Sequence, residues 1–141
     1  MKKKNIAIIG LGYWGTIVTN TLVSMGFFNK VFIYDNDPNK VKIIRKKFGR
    51  KVTSIKIAEI KKNSGIKNVF LATPPKQNFK ILKSLIRSKK NVLIEKPGMT
   101  NLKYFNLIKK ELKKNNVKLS FGYIYIYNDY IKYLKKIINS K

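Results

Sequence analysis

Short apolar runs alternate with amphipathic stretches along the whole chain. Ile6-Ala7-Ile8-Ile9 predicts a buried strand, and a helical pattern follows it to about Met25. Val31-Phe32-Ile33-Tyr34 predicts a second strand. From Pro38 to about Phe48, Val41, Ile44 and Phe48 recur at helical spacing. Asp37 is placed to cap that helix ahead of Pro38, and Gly49 to end it. Lys51-Val52-Thr53 predicts a short third strand, and Ile57 to Lys62 one or two helical turns before the break at Asn63-Ser64-Gly65. Asn68-Val69-Phe70-Leu71-Ala72 predicts another buried strand, ended by Thr73-Pro74-Pro75.

The second half repeats the alternation. Gln77 to Ser88 reads as a helix with Phe79, Leu82, Leu85 and Ile86 on one face. Asn91-Val92-Leu93-Ile94 is a strand, ending in Glu95-Lys96-Pro97-Gly98. Thr100 to about Asn115 is helical with Phe105, Ile108 and Leu112 inward, and Val117 to Gly122 is a further strand. Asp129 to Ile138 predicts a last helix with Ile131, Leu134 and Ile138 as its apolar stripe. Strands alternating with helices predict an α/β fold, a doubly wound parallel sheet with helices on both faces, in a single domain.

One loop carries a specific chemical pattern. Gly10-Leu11-Gly12-Tyr13-Trp14-Gly15 follows the first strand and opens the first helix, and Asp35 ends the second strand. Strand, G-x-G-x-x-G, helix, strand and acid together form the Rossmann-type dinucleotide-binding fingerprint. Gly10 permits the tight turn, Gly12 lets the backbone approach a pyrophosphate, and Gly15 lets helix and strand pack closely. The helix N-terminus offers free N–H groups and partial positive charge to the phosphates. With Asp37 as the cap, Asp35 is left for the hydroxyls of the adenosine ribose, which favours NAD over NADP. The competing reading is a glycine-rich turn in some other α/β protein, with Asp35 as a helix cap.

Composition changes the picture in one respect. The 141 residues, 44% hydrophobic, suit one domain with a real core. No apolar run reaches the ~18 residues of a membrane span, so no membrane insertion is expected, and a cytoplasmic protein is. The absence of cysteine excludes disulfide and thiolate chemistry within this sequence. The charge is unusual: 32 Lys and Arg against 6 Asp and Glu, formally +26. Such an excess points toward polyanions. Yet the cations are mostly lysines spread along the chain, and Lys, Ile and Asn dominate together. Compositional drift is the preferred reading, with nucleic acid bound only non-specifically.

The motifs together resemble the N-terminal domain of the Gfo/Idh/MocA oxidoreductases. Gly10 to Gly15 after the first strand, Ala72-Thr73-Pro74-Pro75 after the fourth and Glu95-Lys96-Pro97 after the fifth carry the resemblance in order. Phe121-Gly122-Tyr123 through Tyr127-Asn128 is similar to the segment leading into that family's second domain. The resemblance implies an NAD(P)-binding domain over residues 1–122 and a connecting segment and helix over 123–141. It implies cofactor contacts from Gly10, Gly12, Tyr13, Trp14, Gly15, Asp35, Thr73, Pro74, Glu95 and Lys96. Lys96 is also the candidate catalytic residue, its ammonium stabilising an alkoxide during hydride transfer to or from a sugar or polyol hydroxyl, with Glu95 positioning it. Tyr13-Trp14-Gly15 is similar to members acting on nucleotide sugars. No metal site is implied.

Two departures shape the expectation. Family members commonly carry histidine where Asn78 and Tyr123 stand, and this sequence holds none. An independent proton-transfer step is therefore poorly supplied. The sequence also stops at the helix that in the family leads into a substrate domain. Three readings follow: the nucleotide-binding half of an oxidoreductase, incomplete by itself; a non-catalytic NAD-binding or partner-binding module; and a basic nucleic-acid-associated protein on a Rossmann scaffold. A separate substrate-domain chain, or self-association through Tyr123, Tyr125, Tyr127, Tyr130 and Tyr133, would cover the tyrosine-rich end.

Overall fold

The structure, a computed structural model, describes residues 4–140. Six strands form one sheet: β1 (Lys4–Ile9), β2 (Phe28–Tyr34), β3 (Val52–Ser54), β4 (Ile66–Leu71), β5 (Asn91–Ile94) and β6 (Leu119–Phe121). The helices are α1 (Tyr13–Met25), α2 (Pro38–Phe48), α3 (Ile57–Lys62), α4 (Pro75–Arg87), α5 (Leu102–Asn115) and α6 (Asp129–Asn139). The strand order is β3-β2-β1-β4-β5-β6 and every neighbouring pair is parallel. The order reverses between β1 and β4, which creates a switch point with its crevice at the carboxyl ends of the strands.

The period-two alternation of β1 divides the core. Ile6 and Ile8 join Leu11, Val31, Ile33, Ile44, Val52 and Phe70 on one face, with Val18 and Leu22 of α1 packed over them. Ala7 and Ile9 point the other way, into a cluster with Val69, Leu71, Val92 and Ile94, covered by Leu82, Leu85 and Ile86 of α4 and Ile108 of α5. A central parallel strand must be apolar on both faces, which is why Ile6 to Ile9 has no polar gap. Asp37 caps α2 as expected, accepting from the Asn39 N–H at 2.9 Å.

Several boundaries differ from the sequence expectation. β2 begins at Phe28 rather than Val31, because Lys4 pairs with Phe28 across a bulge and draws polar Asn29 and Lys30 into the strand. β4 begins at Ile66 and stops before Ala72. α4 starts at Pro75, so the second proline of Pro74-Pro75 opens the helix instead of extending the loop. β6 pairs only over Leu119–Phe121: it is an edge strand, and β5 beside it is four residues long. Within α5, Ile108 is buried but Phe105 is 39% exposed, because this helix overhangs the edge strand.

The end of the chain departs furthest from a packed fold. Residues 124–127 form a single 3₁₀ turn, so the tyrosines there do not alternate along a strand. α6 buries none of its residues, and Ile131, Leu134 and Ile138 stand exposed. Beside the turn, the outer sheet face lacks a helix among the described residues. Leu93 is exposed there, in an apolar groove of about 480 Å³ with Val18, Leu22, Phe70, Ile124 and Tyr127.

Candidate functional site

The loops leaving β1, β2, β4 and β5 open into one groove of about 580 Å³. Strand order sets their sequence in space: Asp35 after β2, the glycine loop after β1, Thr73 and Pro74 after β4, then Glu95 and Lys96 after β5. Of the predicted site residues, Gly10, Gly12, Tyr13, Trp14, Asp35, Thr73, Pro74, Glu95 and Lys96 all line this groove. Gly15 does not; it is buried beneath the loop.

The three glycines have separate physical reasons. Gly10 has φ of +94°, and a Cβ there would stand 2.6 Å from the Ala72 carbonyl oxygen. A Cβ on Gly15 would lie 1.8 Å from the Gly10 carbonyl oxygen, so α1 can start this close to β1 only with hydrogen at that position. A Cβ on Gly12 would meet nothing within 4 Å. The fold itself does not require glycine at position 12. Gly12 is the N-cap of α1, and its side-chain-free position leaves the first-turn N–H groups open to an anion.

Asp35 carries more structural work than its place in the sequence implies. Its Oδ2 accepts from the Leu11 N–H at 2.6 Å and its Oδ1 from the Asp37 N–H at 2.8 Å. The carboxylate thus ties the end of β2 to the glycine loop, and it is not free of the backbone. Each oxygen keeps a further lone pair, enough to accept from a ribose hydroxyl. On the far side, the Glu95 carboxylate lies against Gly122, where a Cβ would stand 3.0 Å from Oε1. Glu95 Oε2 also accepts from the Lys96 N–H at 3.2 Å, at the start of the cis Lys96–Pro97 bond.

The groove includes residues that the motifs did not single out. Asn36 and Lys40 flank Asp35, and Tyr34 donates to Asn36 Oδ1 at 2.7 Å. Ile57 adds an apolar wall, and Gln77 and Ile81 project from α4. Only the last pair had a signal, four residues apart on one helix face. Among the described residues no cluster of three or more His, Cys, Asp or Glu could hold a metal ion. No helix of the described residues is long and apolar enough to cross a membrane.

The sequence profile of an oxidoreductase family with an NAD-binding Rossmann fold, Gfo/Idh/MocA, matches residues 4–123. The chain belongs to that family. The matched residues contain every residue that lines the groove. Among solved structures, scyllo-inositol dehydrogenase from Lactobacillus casei, crystallised with NAD(H) and scyllo-inositol, superposes with a TM-score of 0.85 at 19% identity. That match covers 99% of this chain and 42% of the other. UDP-N-acetylglucosamine 3-dehydrogenase GnnA from Acidithiobacillus ferrooxidans gives 0.81 at 17% identity, over 97% of this chain and 44% of that one. GenD2 from gentamicin A biosynthesis, in complex with NAD, gives 0.76 at 22%, over 86% and 35%. At these identities the likeness shows the fold. The chain spans about two fifths of the length of the dehydrogenases it superposes on. Among curated protein sequences, none matches.

Proposed function

We propose that this domain binds NAD for hydride transfer from the carbon bearing a sugar or polyol hydroxyl, or back to the corresponding carbonyl carbon, with polypeptide beyond these residues completing the substrate site. The observation that carries the proposal is the convergence of four strand-end loops on one groove in which Gly12 alone among the loop glycines faces open space. Bound NAD supplies the hydride acceptor. The first turn of α1 binds the pyrophosphate through N–H groups left free by the helix geometry. Asp35 accepts from the adenosine ribose hydroxyls and repels a 2′-phosphate. Lys96 Nζ holds the negative charge that develops on the substrate oxygen, and Glu95, fixed against Gly122, orients the Lys96 backbone. Tyr13 and Trp14, packed edge to face at 5.7 Å, wall the mouth of the groove.

The partner proposal rests on the exposed end of the fold. Tyr123, Tyr125, Tyr127, Tyr130 and Tyr133 are each at least half exposed. An aromatic strip of that size, continuous with the α6 stripe, is a surface for further polypeptide, either of the family's substrate domain or of a second copy. Binding to nucleic acid is proposed as electrostatic and non-specific, in keeping with the net charge of +26.

Cofactor selectivity tests the proposal. Calorimetric titration should show NADH binding at least about tenfold tighter than NADPH, and Asp35→Ala should narrow that ratio. Equal affinities in the native chain, or a ratio that Asp35→Ala leaves untouched, would contradict the role given to Asp35.

A further inference from the structure

Asn78 sits in the first turns of α4, and its side chain is only 1% exposed. A buried amide needs partners for both ends, and Asn78 finds them on two different loops. Its Nδ2 donates to the Gly98 carbonyl oxygen at 2.6 Å, and its Oδ1 accepts from Thr73 Oγ1 at 2.6 Å. The Gly98 carbonyl can only accept, so the amide nitrogen must face it and the amide oxygen must face Thr73. The Thr73 hydroxyl is thereby obliged to spend its single proton on Asn78. What Thr73 offers to the groove is lone pairs.

Gly98 is itself held in place. Its φ is +74°, and a Cβ there would stand 2.5 Å from the Phe121 ring. Asn78 therefore pins the loop after β4 to the loop after β5, and the second of these is braced on β6. Both loops lie on the Lys96 side of the glycine loop, away from Asp35.

Resting on the cofactor reading above, we propose that Asn78 is a positioning residue for the nicotinamide half of the dinucleotide. It fixes Thr73 as a hydrogen-bond acceptor for an O–H or N–H donor of the nicotinamide riboside, and it sets the spacing between that acceptor and Lys96. ADP, which ends at the second phosphate, needs only the glycine loop and the Asp35 side.

The test compares dissociation constants for NADH and ADP across the native chain and four variants. Asn78→Leu and Thr73→Val should each weaken NADH about tenfold, the worth of one lost hydrogen bond. ADP affinity should stay within about twofold, because neither residue reaches the adenosine side. The double variant should be no worse than either single one, since the two side chains act as a unit. Asn78→His, whose neutral imidazole keeps one donor and one acceptor, should hold NADH within about threefold of the native value. A purely structural role would lower the unfolding temperature without moving the NADH-to-ADP ratio. Equal losses of NADH and ADP, or additive losses in the double variant, would overturn the inference. A folded native chain that binds neither ligand would overturn the cofactor reading and this inference with it.

Discussion

Three glycines in the loop after β1 meet three different surroundings, and substitutions should separate them. Gly15→Ala drives a methyl group into the Gly10 carbonyl oxygen, 1.8 Å from the ideal Cβ position. It should cost more than ~2 kcal/mol in denaturant unfolding, because backbone on both sides prevents repacking. Gly12 has no such neighbour. The few carboxylates are similarly specific: in a chain with only 6 Asp and Glu, Asp35 staples the glycine loop, Asp37 caps α2 and Glu59 accepts from the Lys56 N–H. Glu95 lies against Gly122, Glu111 pairs with Arg87 and Asp129 with Lys132. Each of the six carboxylates thus lies in contact with a partner.

Among the described residues, Lys90 is the lysine that left the surface. Its ammonium is buried and donates to the Asn63 and Ile66 carbonyls at 2.6 and 2.7 Å. Burial, with the Lys67 cation adding to it, pulls its pKa below the ordinary lysine value. Between the folded and unfolded values the unfolded chain binds the extra proton, so the contribution of this group to stability rises with pH. Lys90→Met should cost ~1–3 kcal/mol at neutral pH by leaving those carbonyls unpaired. Its deficit relative to the native chain should widen as pH climbs toward about 10; a deficit that shrinks over that range would contradict the assignment.

At the scale of elements, legibility followed burial. β1, α2 and β5 were readable because their apolar spacing matches what the core demands of them, and Asp37 marked its cap. The glycine fingerprint and Glu95-Lys96-Pro97 marked loops that line the groove for a different reason: backbone constraints leave few residue choices. The start of β2 was not readable, because Asn29 and Lys30 pair through their backbones while their side chains face water. Phe105 was misplaced because a helix over an edge strand has sheet beneath only part of its stripe. Asn78 and the double hydrogen bonding of Asp35 were not readable either, since both depend on which loops the sheet order brings together.

The helices should differ sharply in what they contribute. Ile108→Ala removes a fully buried side chain of α5 and should cost ~2–5 kcal/mol. Deleting residues 129–141 removes α6, none of whose described residues is buried. That deletion should leave the unfolding temperature and NADH affinity unchanged and reduce exposed apolar surface. A large drop in unfolding temperature would show that α6 packs on this domain in solution.

For the whole molecule, sheet order does the assembling. Four loops far apart in sequence meet because β1 and β4 are neighbours at the switch point, and that convergence is what a single motif could not establish. The net charge of +26 acts on a longer range and carries no positional information. Its expected signature is nucleic-acid binding that falls steeply with salt; retention at high salt would require a localised patch. The central claim is that the groove binds NAD across the glycine loop. It is tested most directly by titrating NADH into the native chain and into Gly12→Val by calorimetry at physiological salt, with unfolding temperatures measured alongside. Saturable binding by the native chain, weakened at least about 30-fold in a Gly12→Val protein that unfolds at the same temperature, is the expected result. Unchanged affinity in Gly12→Val, or no binding by the folded native chain, would contradict it.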